Sequence, residues 1–194
     1  MIKGIIFDCF GVLYGGSLST LTSMCPPERY EELRSLNKQA DYGFISGEDY
    51  IQGLSEVLGM SYGDVAQVMA RKHHRNEELV EFVRALRADG TYKIGLLSNV
   101  GSGTVERLFG DDLRQLFDSV VLSYQESLAK PNPGIYTLAA ERMGLNASEC
   151  VMIDDLEPNC DGAEIAGMQS ILHITNDITR RELAKMLKKV LDIA

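Results

Sequence analysis

The sequence has no run of about 18 apolar residues, the length an apolar helix needs to cross a bilayer, so no membrane span is expected. It has no C-x-x-C pair. Its four cysteines, Cys9, Cys25, Cys150 and Cys160, are scattered and read as free thiols in a reducing compartment. Positive charge is scarce: 19 Lys and Arg stand against 28 Asp and Glu, a net charge of −9. No basic stripe offsets this, which argues against nucleic acid as a partner. An anionic ligand would need positive charge supplied locally. Internal repeats and low-complexity linkers are also lacking. Met1-Ile2-Lys3 leads straight into an apolar stretch with no signal peptide ahead of it, so the expected address is cytoplasmic.

What is present suits an ordinary globule. A chain of 194 residues, 45% hydrophobic and 24% charged, makes one domain with room for an insertion. Near its start, Ile5-Ile6-Phe7 reads as a buried strand that ends on Asp8, with Gly11 allowing a tight turn just beyond. An aspartate so placed can serve as a nucleophile, a metal ligand or both. Alternation along an extended segment would send Cys9 to the core and point Phe10 roughly as Asp8 points.

From Tyr14 to about Arg75 no strand-like runs occur. Pro26-Pro27-Glu28 opens a helix to about Ala40, Ser46 and Asp49 outline a capping box for a helix to Leu58, and Ser61 with Asp64 opens a third. From Asn76 onward strands and helices alternate. Asn76 caps a helix striped by Leu79, Phe82, Val83 and Leu86, and strands follow at 92–97, 118–122, 150–153 and 169–174. Thr179 to Glu182 reads as the capping box of the last helix. The alternation predicts an α/β fold, a Rossmann-like parallel sheet over residues 1–13 and 76–194, with a small all-helical unit inserted over 14–75. A crevice is then expected at the carboxyl ends of the strands, where Asp8, Ser98 and the pair Asp154-Asp155 would meet.

Four ordered segments carry a resemblance. They are Asp8 after Ile5-Ile6-Phe7, Ser98-Asn99 after Ile94 to Leu97, Lys130 in Ala129-Lys130-Pro131, and Asp154-Asp155 after Val151-Met152-Ile153. Together they resemble the four motifs of the haloacid dehalogenase-like hydrolases, over roughly residues 3–175. The resemblance implies a helical cap at 14–75 that covers the site and selects the substrate. It implies Mg²⁺ held by Asp8, the Phe10 carbonyl, Asp154 and Asp155, with Asp155 the direct ligand and Asp154 acting through water. Such a cation takes hard oxygen ligands. Asp8 would attack phosphorus, Ser98 and Lys130 would act in catalysis, and Gly11, Ser98, Asn99 and Lys130 would bind phosphate. Asn159 is a candidate brace for the acid pair. His73 and His74 diverge on a helix and read as solvated linker residues.

One departure matters. Phosphatases of the family carry a second aspartate two residues after the first, and here that position is Phe10. A general acid–base contributes typically 10²–10⁴-fold, or roughly 3–5 kcal/mol. A cap residue, a water or the substrate itself would have to substitute. The expected function is hydrolysis of a small phosphorylated metabolite, a sugar phosphate among the candidates. The alternatives are a weakly catalytic member that binds a phospho-ligand or a protein, and a 2-haloacid dehalogenase, whose relatives also bear an aromatic residue at this position. Tyr14, Tyr42 and Tyr50 are candidates to line the substrate pocket.

Overall fold

The computed structural model describes residues 1–15, 18–70 and 74–187. In chain order the elements are β1 (Gly4–Phe7), α1 (Leu18–Met24), α2 (Tyr30–Asp41), α3 (Gly47–Leu58), α4 (Tyr62–Ala70), α5 (Glu77–Asp89), β2 (Lys93–Ser98), α6 (Thr104–Phe109), α7 (Asp112–Leu116), β3 (Ser119–Leu122), α8 (Ser123–Glu126), α9 (Pro133–Arg142), β4 (Cys150–Asp154), α10 (Glu157–Ile165), β5 (Gln169–Leu172) and α11 (Asn176–Leu187). Among the described residues the strands form one parallel sheet in the order β3-β2-β1-β4-β5. The chain winds outward from β1 to β3, then returns to the other side of β1 for β4 and β5. That reversal opens a crevice outside the carboxyl ends of β1 and β4.

The strands are apolar because both faces are covered. Ile5 and Phe7 pack on one side with α5 residues Leu79, Val80, Phe82, Val83 and Leu86, while Ile6 packs on the other with Ile135, Tyr136 and Ala139 of α9. In β4, Val151 and Ile153 take the first side, and Cys150 and Met152 the second. Each such large side chain, fully buried, contributes roughly 1.5–3 kcal/mol.

Helices α1 to α4 lie between β1 and β2 in the chain and have their own core. Leu21, Cys25, Leu33, Leu54, Val57, Leu58, Val65 and Val68 form it, apart from the two sheet cores. The chain leaves and re-enters the sheet side by side. Gly15 N–H donates to His74 O at 2.7 Å, Asn76 N–H donates to Leu13 O at 2.9 Å, and Tyr14 bridges Arg75 in antiparallel fashion.

The capping chemistry read from the sequence is present at Ser46, where Oγ accepts from Asp49 N at 3.1 Å, and at Asn76, where Oδ1 accepts from Leu79 N at 3.3 Å. At the last helix it is not. That helix begins earlier, at Asn176, with Thr175 Oγ1 accepting from Ile178 N at 3.3 Å. Thr179 is buried within its first turn, its hydroxyl 2.8 Å from His173 Nδ1. Helix α1 escaped the sequence reading, because its short Ser/Thr-rich stretch of about two turns has weak intrinsic preference. His74 is exposed, and His73 lies outside the described residues. No helix among the described residues is long and apolar enough to cross a membrane.

Candidate active site

Register builds the site. Phe7 pairs with Ile153 on one side and with Leu96 on the other. The next residues along these strands, Asp8, Asp154 and Leu97-Ser98, therefore arrive together at the carboxyl edge. Asp8 N–H donates to Ile153 O at 2.9 Å, which extends the β1–β4 ladder to the aspartate itself. One ligating oxygen from each of Asp8, Asp154 and Asp155 can be chosen so that all lie within 4.8 Å of one another.

Beyond Asp8 the chain turns rather than continuing extended. Leu13 and Tyr14 both donate their N–H to Cys9 O, at 2.9 and 2.8 Å. Side-chain alternation therefore stops at Asp8, a correction to the extended reading of this stretch. Cys9 is nonetheless in the core, where burial and then the neighbouring Asp8 charge push its thiol well up. Phe10 is half-buried and packs on the hydrophobic cluster that holds Val12 and Leu13.

Gly11 has φ +81°, and its N–H donates to Tyr14 O at 2.8 Å. Its amide is thus committed within the turn instead of being offered to a ligand. Its value lies in size, because a Cβ here would fall 2.1 Å from Asp155 Oδ2. A glycine lets the third carboxylate lie against the backbone that follows the first.

Lys130 closes the group. Its ammonium lies 2.9 Å from Asp8 Oδ1 and 2.6 Å from Asp154 Oδ2, with the side chain 1% exposed. The loop that carries it is clamped by Asn99. Asn99 Nδ2 donates to Lys130 O at 2.9 Å, and Lys130 N–H donates to Asn99 Oδ1 at 2.8 Å. The Asn99 side chain therefore positions the lysine and is not itself turned to a ligand.

The second oxygen of Asp154 also has protein donors. Leu156 N–H and Asn159 Nδ2 donate to Oδ1 at 3.0 and 2.9 Å. Asn159 is the brace expected of it, and it is held in turn by Tyr136, whose hydroxyl donates to Asn159 O at 2.7 Å. Tyr136 was not singled out from the sequence. Asp155 is half-buried, less enclosed than Asp154.

Ser98 Oγ is buried and has no hydrogen-bond partner among the described residues. A buried hydroxyl left unpaired costs on the order of 1–3 kcal/mol, a cost that an acceptor bound at this edge would relieve.

The electrostatics follow from one cation among three carboxylates. Burial pushes the Asp8 carboxyl up to about 7; Lys130 pulls it down and Asp154 adds to the rise. Burial works against the Lys130 ammonium, yet Asp8 and Asp154 outweigh it and raise its pKa. Burial and the Asp154 charge raise Asp155 as well. Such a cluster fits a hard divalent cation, since carboxylate oxygens are its preferred ligands and the local charge is short of positive.

Of the tyrosines considered for a pocket, Tyr14 is not available. It is buried, stacks edge-on against Phe109 at 4.9 Å and donates its hydroxyl to Leu108 O at 2.8 Å. Its place beside the chain crossing makes it core. Tyr42 stacks with Phe44 at 5.6 Å, and Tyr50 donates to Asn37 Oδ1 at 2.8 Å. Asp41, at the end of α2, gave no signal in the sequence, where it is one acidic residue at a helix terminus.

Comparison with known proteins agrees with the architecture. The family of haloacid dehalogenase-like hydrolases matches residues 2–167. The (S)-2-haloacid dehalogenase 2 of Pseudomonas sp. (strain CBS-3) is 22% identical, over 87% of this chain and 82% of its own. The glyceraldehyde 3-phosphate phosphatase of Methanopyrus kandleri is 26% identical, over 88% of this chain and 83% of its own. A HAD family enzyme of Bacteroides thetaiotaomicron, solved with magnesium and inorganic phosphate, superimposes with a TM-score of 0.73 at 21% identity, covering 91% of this chain and 96% of that one. With the family match spanning most of its length, the chain belongs to the haloacid dehalogenase-like hydrolases.

Proposed function

We propose that the protein is a Mg²⁺-dependent phosphatase that hydrolyses a small phosphorylated metabolite through an aspartyl-phosphate on Asp8. The observation that carries this reading is the buried cluster itself: three carboxylates within 4.8 Å, with the Lys130 ammonium 2.9 Å from Asp8. The magnesium and phosphate held by the Bacteroides enzyme, and the phosphatase from Methanopyrus kandleri, support it. Asp8, Asp155 and the carbonyl of Phe10 would hold the cation, with Asp154, already bonded to Lys130 and Asn159, a ligand through water. When bound, Mg²⁺ would neutralise phosphoryl charge and allow a dianion to approach this acidic cleft.

The chain's own groups then divide the work. Asp8 Oδ attacks phosphorus, and the bond to the leaving oxygen breaks. Lys130 supplies a cation to the phosphoryl oxygens and also keeps Asp8 ionisable in a buried place. Ser98 gains in a phosphoryl oxygen the partner its hydroxyl lacks among the described residues. Residues 14–75 serve as the cap that closes the cleft and selects the substrate, a sugar phosphate being the class favoured by the Methanopyrus kandleri relative. The four buried, free cysteines suit a cytoplasmic address.

Release of p-nitrophenolate from p-nitrophenyl phosphate tests the reading. Turnover should need Mg²⁺ and vanish in Asp8→Asn. Absence of turnover, or equal turnover in that variant, refutes it. A dehalogenase reading has two observations in its favour, Phe10 and the Pseudomonas relative. Asp154 and Asp155 count against it, since a haloacid carboxylate would meet three acids with Lys130 the one cation among them. Chelator-insensitive halide release from 2-chloropropionate would favour it.

A further inference from the structure

The phosphatase reading leaves one role without an occupant. The leaving oxygen needs a proton, the attacking water must lose one, and Phe10 can do neither. A group that does both must be titratable, must reach the carboxyl edge of the sheet, and must stand clear of the metal-binding carboxylates.

Asp41 meets these conditions. It is the last residue of α2, on the helical segment between β1 and β2. The turn that follows it is docked on the sheet domain. Gly43, with φ +71°, sits so close to α8 that a Cβ there would fall 2.8 Å from the carbonyl oxygen of Tyr124. Helix α8 follows β3 directly, and its first residue, Ser123, accepts from Val100 N at 3.0 Å, two positions past Ser98. The turn after α2 thus lies against α8, the helix that bonds the chain just past Ser98.

The surroundings of Asp41 differ from those of an ordinary surface acid. Its side chain is partly buried, and among the described residues it has no hydrogen-bond or ion-pair partner. Burial pushes its carboxyl up to about 6, and the charge that opposes this rise is that of Lys130. It thus feels the same ammonium that contacts Asp8. The Tyr50 phenol lies in its field and is pushed up by burial and by Asp41, while its hydroxyl is held on Asn37. Lys130 and Tyr50 are the titratable groups whose charges couple to it. A carboxyl near neutrality can hold a proton and give it up in turn.

We propose that Asp41, carried by the helical segment, is the general acid–base of this enzyme and takes the role that Phe10 cannot fill. As Asp8 bonds to phosphorus and the P–O bond to the leaving group breaks, protonated Asp41 gives its proton to the departing alkoxide. In the second step the Asp41 carboxylate takes a proton from water as that water attacks phosphorus. The bond from phosphorus to Asp8 breaks, phosphate leaves and Asp41 is protonated again. The proposal rests on the phosphatase reading. It adds that substrate binding and proton transfer are coupled, because the group that moves the proton arrives with the helical segment.

The test compares wild type, Asp41→Asn and Asp41→Glu on p-nitrophenyl phosphate and on glycerol phosphate, with Mg²⁺. The two esters differ in whether the leaving group needs a proton. In Asp41→Asn, glycerol phosphate turnover should fall about 10²–10⁴-fold. With p-nitrophenyl phosphate the first equivalent of p-nitrophenolate should still appear as a burst, followed by slow steady turnover. Asp41→Glu should recover at least tenfold over the asparagine variant. A purely structural role would slow both esters and the burst together, and that result overturns the proposal. So does an Asp41→Asn variant within threefold of wild type on glycerol phosphate. If Asp41→Asn fails to fold by circular dichroism, Asp41→Glu decides alone, by a larger loss on glycerol phosphate than on the burst. Wild type inactive on both esters refutes the phosphatase reading, and Asp41's role with it.

Discussion

Replacing Lys130 with methionine should destabilise the protein by an amount that grows with pH. The lysine side chain is 1% exposed, and its two partners, Asp154 and Asp8, are 0% and 8% exposed. Methionine fills a similar volume but leaves two buried carboxylates without their cation. Breaking a buried ion pair by removing one partner costs about 3–5 kcal/mol, more than the pair itself adds, because the orphaned charge keeps its desolvation penalty. The sign of the pH dependence follows from Asp8. Its folded pKa, about 7, lies above its ordinary value of 3.8, so the folded state binds this proton more tightly than the unfolded state does. The stabilisation from protonated Asp8 is complete at low pH and is lost as pH rises toward 7. Lys130 is the group that holds this pKa down, so in its absence the loss continues above 7. At pH 5 Asp8 is largely neutral in both proteins, and the cost of the substitution is the smaller one at Asp154. Urea unfolding at pH 5 and pH 8, with magnesium absent, measures both. A loss at pH 8 below about 1 kcal/mol, or one equal at the two pH values, would refute the reasoning.

Magnesium should raise the melting temperature of wild type, since a ligand at 100 times its dissociation constant adds about 2.7 kcal/mol to stability. The shift should be larger at pH 8 than at pH 5.5, where the raised Asp8 carboxyl holds its proton against the metal, and Asp155→Asn should abolish most of it. Scanning fluorimetry across a MgCl₂ series reads this directly. Gly11→Ala forces a Cβ to within 2.1 Å of Asp155 Oδ2 at φ +81°, and should cost about 1–3 kcal/mol by thermal unfolding together with much of the magnesium shift.

The parts of this molecule that were legible in the sequence are those whose physics is local. Buried parallel strands need continuous apolar runs, so Ile5 to Phe7 and Val151 to Ile153 identify themselves, and parallel register then brings the residues that follow them together. Capping is equally local, which is why Ser46 and Asn76 were readable. The Thr179 box failed for a reason of the same kind. Thr175, one turn earlier, offers an equivalent hydroxyl, and burial of Thr179 against His173 decides between them. The turn after Asp8 was misread as extended because its cause is not in the apolar pattern. It lies in the bonds of Leu13 and Tyr14 back to Cys9. Asn99 shows a similar limit. A polar residue after a strand looks like a ligand donor, and only the loop that returns 31 residues later reveals that it holds Lys130.

Asp41 was invisible for a deeper reason. A general acid–base needs a raised pKa, and here the raise comes from burial, opposed by a charge on another segment, neither of which leaves a mark at the residue itself. The second aspartate of the family's first motif is readable because it stands on the same turn as the nucleophile. A carboxylate brought from the helical segment can be recognised only once Gly43 is seen against Tyr124. The two arrangements differ in what they ask of the fold. An acid two residues from Asp8 is fixed before substrate binds, whereas one on the inserted helices is in place only while those helices sit on the sheet domain. Loss of the motif aspartate therefore ties proton transfer to the docking of the helical segment. A substitution that loosens the Gly43–Tyr124 contact would be expected to slow poor leaving groups more than good ones, without touching a single carboxylate of the Asp8, Asp154 and Asp155 cluster.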